Sequence, residues 1–382
     1  MAVFMSAKRA KSRLVAVLAV SGLVILSGCS SSPGGSGSKS SNKTGSQEAQ
    51  ALLVPYEGHP TAFPVTAKLN KRPTGANVAV MDCGTSVCGL LWSVMESAGA
   101  AMGVHLIHYL AGPTTQQTAS AFSAMLQTKP TAVIILPTSP LLIESDLLTL
   151  KADHIPVVTS GITWTSAQVK KYGIGAQQFA LSWADTSAKL MAAWVVKTKG
   201  TSANVVIENV PDLEFGPAMT AEFKSEMKAL CPTCQVSELD IPITTMGTTD
   251  TTQEVAYLEA HPNINVVASV SSETYYGVPS ILSASNIHVD LIGNAPAPQN
   301  LIDIEQGTEA AGVGFDALTS VWTDVDAVAR LLDGQPLSQD EITGVNDQQF
   351  LVKSDLSGDY SQGWTGYPDT PQRFESFWGV SS

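Results

Sequence analysis

The sequence predicts an α/β fold of parallel sheets with helices packed on both faces. Three observations carry that prediction. Short apolar runs recur from residue 77 onward, longer amphipathic stretches separate them, and beyond residue 26 none of these segments is long and apolar enough to span a membrane. The clearest runs are Asn77–Met81, Ala132–Pro137, Pro156–Ser160, Asn204–Asn209, Asn265–Ser271 and Val289–Asn294. They are apolar almost throughout, as strands buried on both faces must be. Between them, Trp183, Leu190, Met191 and Trp194 fall near one helical face. Leu318, Val321, Trp322, Val325, Val328 and Leu332 make a second stripe at 3/4 spacing, which Gly334 and Pro336 end. Strand and helix therefore alternate, and parallel neighbours require that kind of crossover.

Ahead of this region lie segments of a different kind. Lys8, Arg9, Lys11 and Arg13 precede an apolar stretch from Leu14 to Leu26, the layout of a secretory leader. The stretch Leu26-Ser27-Gly28-Cys29 resembles a bacterial lipobox. That resemblance implies cleavage after Gly28 and a lipid on Cys29, which becomes the mature N-terminus. An uncleaved anchor with an incidental cysteine is the alternative. Residues 1–28 are thus the expected leader, and 29–74 a lipidated cysteine followed by a flexible tether, rich in Ser, Gly and Asn early and in Pro later. Roughly 305 residues remain, enough for two domains.

Charge narrows the partners. Without the four basic residues of the leader the formal charge of −13 becomes −17. A phosphate-binding surface needs clustered Lys and Arg, and only small basic groups such as Lys68, Lys71 and Arg72 remain. Nucleic acid is therefore not an expected partner, and the acidic balance suits the solubility of an exported protein.

The order of segments carries a more specific signal. "SAMLQTKPTAVIILPTSP", "LKADHIPVVTSGI", "VVIENVPDLEFGPAMTAEFKSEM", "LEAHPNINVVASVSSETYYGV" and "DLIGNAPAPQNLIDIEQGTEAAGVGFD" follow one another in this chain. In that order they resemble the periplasmic sugar-binding proteins of the ribose-binding type, over about residues 77 to 353. The resemblance implies two Rossmann-like parallel-sheet lobes, a three-crossover hinge and one small-molecule ligand held between the lobes, in a monomer. Residues 75–176 with 317–340 would form the first lobe, and 177–316 with 341–382 the second lobe and its tail. The crossovers would fall near Gly175–Phe179, Gly314–Asp316 and Asp340–Gly344. The family also implies a membrane partner, an ABC permease or a membrane sensor, reached from a lipid anchor on the extracytoplasmic face.

Open parallel sheets bind ligands beyond the carboxyl ends of their strands. That rule nominates Asp82 and the segment to Trp92, Thr138, Gly161 to Trp164, Asn209 to Phe215, Ser271 to Tyr275, Asn294 with Ala295, and Phe315 with Asp316. Here the chain departs from the family it resembles. The Asp-Arg pair after the fourth strand is replaced by Gly161-Ile162. The second-lobe arginine falls on Pro217, the asparagine on Ser271, the following aspartate on Ala295 and the hinge glutamine on Phe315. Unpartnered buried hydroxyls cost several kcal/mol, so a site without that clasp should disfavour a small free sugar. The candidate ligand contacts are Asp82, Trp92, Thr138, Trp164, Glu214, Phe215, Ser271, Glu273, Tyr275, Asn294, Phe315 and Asp316, with some of the rings expected in core or rim. They favour a ligand with an apolar or aromatic face.

Cysteines and histidines complete the reading. In an exported chain Cys83 with Cys88 and Cys231 with Cys234 are expected as local disulfides. A zinc site would need both pairs together, yet they belong to different lobes and their spacings do not match a zinc ribbon. The "CPTC" pair follows a helix C-terminus, the wrong end for an activated thiol. "GVGFDA" (312–317) fits a dinucleotide loop in part, but no acid at a following strand end completes it. His105 and His108, three apart on one strand, point to opposite faces. No nucleophile-base pair, metal set or cofactor motif emerges, so a binding protein rather than an enzyme is expected.

Overall fold

The computed structural model describes residues 37–112, 114–343 and 347–380. The leader and Cys29 lie outside the described residues. The first lobe is a five-stranded parallel sheet in the order β2-β1-β3-β4-β5. Its strands are β1 (Asn77–Asp82), β2 (His105–Leu110), β3 (Ala132–Ile135), β4 (Val157–Ser160) and β5 (Ile174–Gln178). The second lobe is a six-stranded sheet in the order β11-β10-β9-β8-β6-β7. It comprises β6 (Asn204–Asn209), β7 (Gln235–Asp240), β8 (Val266–Ser269), β9 (Asp290–Asn294), β10 (Ala311–Gly314) and β11 (Gln349–Leu351). All pairings are parallel except β10 with β11.

Thirteen helices are present among the described residues. The first is α1 (Gly37–Leu53); α2 (Ser86–Met102), α3 (Thr115–Thr128), α4 (Pro140–Ala152) and α5 (Ser166–Tyr172) connect the first sheet. Next come α6 (Leu181–Lys199), α7 (Phe215–Leu230), α8 (Asp250–Ala260), α9 (Val278–Ala284) and α10 (Pro298–Gln306) around the second. The chain ends with α11 (Ala317–Asp333), α12 (Gln339–Thr343) and α13 (Thr370–Trp378). Local sequence fixes several starts. Thr85 accepts from Cys88 N at 3.2 Å, and Thr114 and Thr165 form reciprocal capping boxes with Gln117 and Gln168. Gly334, left-handed at φ 66°, ends α11 as its position after the stripe requires.

All six apolar runs are strands. The central β3, β4 and β8 are buried at every position, whereas the edge strands β2 and β7 alternate between half-buried and exposed. The chain crosses between sheets at Phe179–Ala180, again at Phe315–Asp316, and a third time between α12 and β11. Helix α11 leaves the second crossover and packs on β3, β4, β5 and α2, returning to the first lobe. It is buried on nearly every side, so its polar groups pair internally. Arg330 Nε donates to Asp326 at 2.5 Å, and Asp324 accepts from Ser160 Oγ at 2.7 Å.

The chain ends depart from expectation. The flexible tether expected over 29–74 contains α1, which packs along α6 and α7 with Ala49 and Leu53 fully buried. Residues 62–70 continue onto the first lobe, where Phe63 meets Tyr367 and Phe374, and Leu69 N donates to Phe377 O at 2.9 Å. The serine and glycine content of the segment hid a short apolar stripe that two helices of the second lobe cover. The tail likewise serves both lobes. Leu356, Tyr360 and Trp364 pack with Leu301 and Leu351 of the second lobe, while Phe374 and Trp378 reach Trp322 on α11.

Candidate ligand-binding site

The strand ends of both sheets face one another across a cleft, and the lobes touch there. Glu273, in the turn after β8, accepts from Val87 N at 3.1 Å and from the hydroxyl of Ser86, both in the first turn of α2. Ser86 Oγ also lies 3.2 Å from the Tyr276 hydroxyl, and Thr163 Oγ1 is 3.5 Å from Glu214 O. A carboxylate from one lobe thus caps a helix of the other, where the orphan amides and the helix dipole favour an anion. Burial pushes the Glu273 carboxyl up from its ordinary range, and the bonds from Ser86 and Val87 oppose that rise.

Behind this contact lies a cavity walled by Cys83, Thr85, Val87, Cys88, Leu91, Pro137 and Gly161 from the first lobe, and by Leu213, Phe215, Ser271, Glu273 and Ala295 from the second. Phe179, Trp183 and Phe315, at and beside two of the crossovers, complete it. Four rings meet here. Phe179 packs edge-on to Phe315 (4.9 Å, 87°), Trp183 edge-on to Phe215 (5.3 Å, 88°), and Phe179 lies 5.4 Å from Trp183. Among the described residues the buried indole N–H of Trp183 has no partner. The free space between the four rings is small, about 40 Å³.

Of the twelve candidate ligand contacts, Phe215, Ser271, Glu273 and Phe315 meet in this cavity, and the nominated strand-end segments also bring Cys83, Gly161, Leu213 and Ala295 to its wall. The other eight candidates do not line it. Asp82 accepts from Gly84 N and pairs with His108 Nε2 at 2.8 Å, and Trp92 stacks on His108 at 4.2 Å, so both organise the edge of the first sheet. Thr138 lines an adjoining pocket at the mouth with Pro211, Asp212 and Ile243. Trp164 is core, its N–H given to Thr159 at 3.0 Å and its ring against Tyr172. Glu214 stands at the N-cap position of α7 without a side-chain capping bond, and burial raises its carboxyl. Tyr275 is fully buried, donating to Val267 O or Ile292 O at 3.0 and 3.1 Å. Asn294 donates to Val270 O. Asp316 caps α11 through Thr319 N and accepts from Gly366 N and Tyr367 N, holding the tail. Asp82, Tyr275, Asn294 and Asp316 turn back from the strand ends to satisfy local amides and carbonyls, a demand that strand position alone does not reveal.

Two ring positions were missed. Phe179 follows β5, whose polar IGAQQ sequence gives little strand signal, and Trp183 reads as an ordinary core residue of α6. Both disulfides form, Cys83–Cys88 and Cys231–Cys234, in separate lobes, and the first is part of the cavity wall. The glycines of "GVGFDA" let neighbours approach rather than bind phosphate: a Cβ on Gly314 would stand 2.5 Å from Leu351 Cδ1.

Two facing parallel-sheet lobes, three crossovers and a cavity at the strand ends define a hinge-closing binding protein. The chain belongs to the periplasmic binding protein domain family, whose model matches residues 84–336. No curated protein matches the sequence. Solved structures share the fold at low identity. A 5-methylthioribose transporter solute-binding protein from Thermotoga lettingae, in complex with 5-methylthioribose, has a TM-score of 0.68 and 15% identity, covering 81% of this chain and 99% of that one. An ABC transporter solute-binding protein from Agrobacterium vitis with bound allitol gives 0.64 and 17%, covering 73% and 96%. A XylFII-LytSN complex gives 0.63 and 17%, covering 74% and 100%. Among the described residues no helix is long and apolar enough to cross a membrane.

Proposed function

We propose that this protein is an extracytoplasmic solute-binding lipoprotein, anchored through Cys29, that captures a small organic ligand by lobe closure and delivers it to an ABC importer. The observation that carries the reading is the cavity between the lobes, bounded by four rings and bridged by Glu273. Phe215, Ser271, Glu273 and Phe315 are its proposed ligand contacts, joined by the rings of Phe179 and Trp183. Closure is driven by contacts that exist only when both lobes face the ligand.

A ligand with an apolar face fits this lining better than a compact polyol. Positions that would hold a charged clasp carry Gly161, Ala295 and Phe315, all at the cavity. Each unmatched hydroxyl costs about 1–3 kcal/mol, and three mismatches weaken binding by orders of magnitude. Among the fold relatives, the protein bound to 5-methylthioribose handles a sugar with an apolar arm, which supports the direction of this preference. The test is calorimetry of the purified full-length chain with ribose, glucose, allitol and 5-methylthioribose. Tightest binding by ribose or glucose contradicts the reading.

A second reading, a receptor that presents its closed state to a membrane sensor, draws on the XylFII-LytSN complex among the fold relatives. Cross-linking in native membranes separates the two. A permease with its ATPase supports import, and a sensor kinase supports signalling.

A further inference from the structure

The cavity has an electrostatic character that goes beyond an apolar preference. Among the described residues no lysine, arginine or histidine lines it, and the only formally charged wall residue is Glu273. That carboxylate is buried at the N-terminus of α2, where Val87 N and the Ser86 hydroxyl donate to it, and it forms no ion pair among the described residues. A helix N-terminus is equivalent to only about half an elementary charge. A deficit of positive charge therefore remains in a water-poor space, where charge interactions are least screened. Across the cavity stand Phe179, Trp183, Phe215 and Phe315, with two of their contacts close to perpendicular, at 87° and 88°. In each perpendicular pair one ring points its edge at the other's face, and a cation entering between the lobes would meet the faces such a pair leaves free, the negative part of the ring quadrupole. Rings and carboxylate thus favour the same sign.

We propose that the cleft takes an organic cation, an amine or quaternary ammonium with an apolar body, its charge held among the four rings and facing Glu273. This rests on the reading of the cleft as the ligand site. Aromatic cages with a nearby acid suit such cations because the ring faces attract a charge that needs no directional hydrogen bonds. A neutral polyol would leave Glu273 uncompensated and its own hydroxyls unmatched. An anion would meet repulsion from Glu273 and from the acidic chain as a whole, formally −13 over the full sequence. A carboxylate can accept several hydrogen bonds at once, so Glu273 can keep its bonds to α2 while facing a ligand charge. Closing the lobes and neutralising the cavity then become one event.

Two isosteric pairs test the charge alone: choline against 3,3-dimethylbutan-1-ol, and benzylamine against benzyl alcohol. Calorimetry on the full-length protein at pH 7 is expected to show the cation at least tenfold tighter than its neutral partner in one pair or both. Glu273→Gln, which keeps an acceptor oxygen for α2, should bring that ratio below threefold. Neutral partners binding as tightly as the cations, no binding by any of the four, or a ratio unchanged in Glu273→Gln each overturns the proposal. Phe215→Leu reports on the site itself with whichever compound or sugar binds. Weakened binding keeps the cleft as the ligand site even if the charge inference fails, and unchanged binding overturns the cleft reading beneath it.

Discussion

Gly161 sits at φ +69°, and an added Cβ would stand 2.4 Å from Pro137 Cγ, so no side chain fits where a polar clasp would begin. Gly161→Ala should lower stability by about 1–3 kcal/mol in denaturant unfolding, since both the backbone and the space oppose it. Phe179 and Ala295, at φ 47° and 53°, hold the same left-handed region without the freedom of glycine. Both lie at the cavity, where strained backbone concentrates in functional sites. Asp324, beneath the hinge, has the opposite problem of charge. Burial pushes its carboxyl up from the ordinary 3.8 to about 8, opposed only by the bond from Ser160. The folded state therefore holds a proton that the unfolded chain releases above pH 4. Stability from this group is full below about pH 4 and is lost as pH rises through about 8. The melting temperature should accordingly fall between pH 5.5 and 8, and Asp324→Asn should flatten that slope, which is on the order of 1 kcal/mol per pH unit. An unchanged slope in the variant would remove Asp324 from this account.

At the scale of elements, the strands of the sheet centres were legible because burial on both faces demands unbroken apolar runs. The edge strands β2 and β7 were not marked among the clear runs, since half their side chains meet water. The stripe on α11 was legible too, but not its burial on the other sides, where Asp326 pairs with Arg330 and Asp324 accepts from Ser160. The least legible parts were α1 and α13, short amphipathic segments whose partners lie far away in sequence. Of the proposed ligand contacts, Phe215, Ser271, Glu273 and Phe315 followed from strand ends, whereas Trp183 lies in the first turn of a helix. Trp378 stacks on Trp322 at 5.1 Å and donates to Asp326 at 2.6 Å. Trp378→Ala should therefore cost about 3–5 kcal/mol in equilibrium unfolding. The disulfides divide by location. Replacing Cys83 and Cys88 with serine should cost about 2 kcal/mol and weaken ligand binding, because that bridge lines the cavity. Replacing Cys231 and Cys234 should cost a similar amount and leave affinity unchanged.

At the scale of the whole molecule, five passes of chain join the lobes among the described residues: the three crossovers, the segment from α1 to Leu69, and the tail from Leu356 to Trp378. Opening must bend all of them and break the bonds that Glu273 accepts from the start of α2. Glu273→Ala should then expand the ligand-free protein, read as a larger radius of gyration in solution scattering, and an unchanged radius would deny the latch. The central claim is that the cleft selects an apolar face over a compact sugar. Calorimetry of the full-length chain with 5-methylthioribose and with ribose tests it most directly. The account predicts that 5-methylthioribose binds at least tenfold more tightly than ribose and that Phe215→Leu narrows the difference. Ribose or glucose bound at micromolar affinity or better, and undiminished in Phe215→Leu, would contradict it.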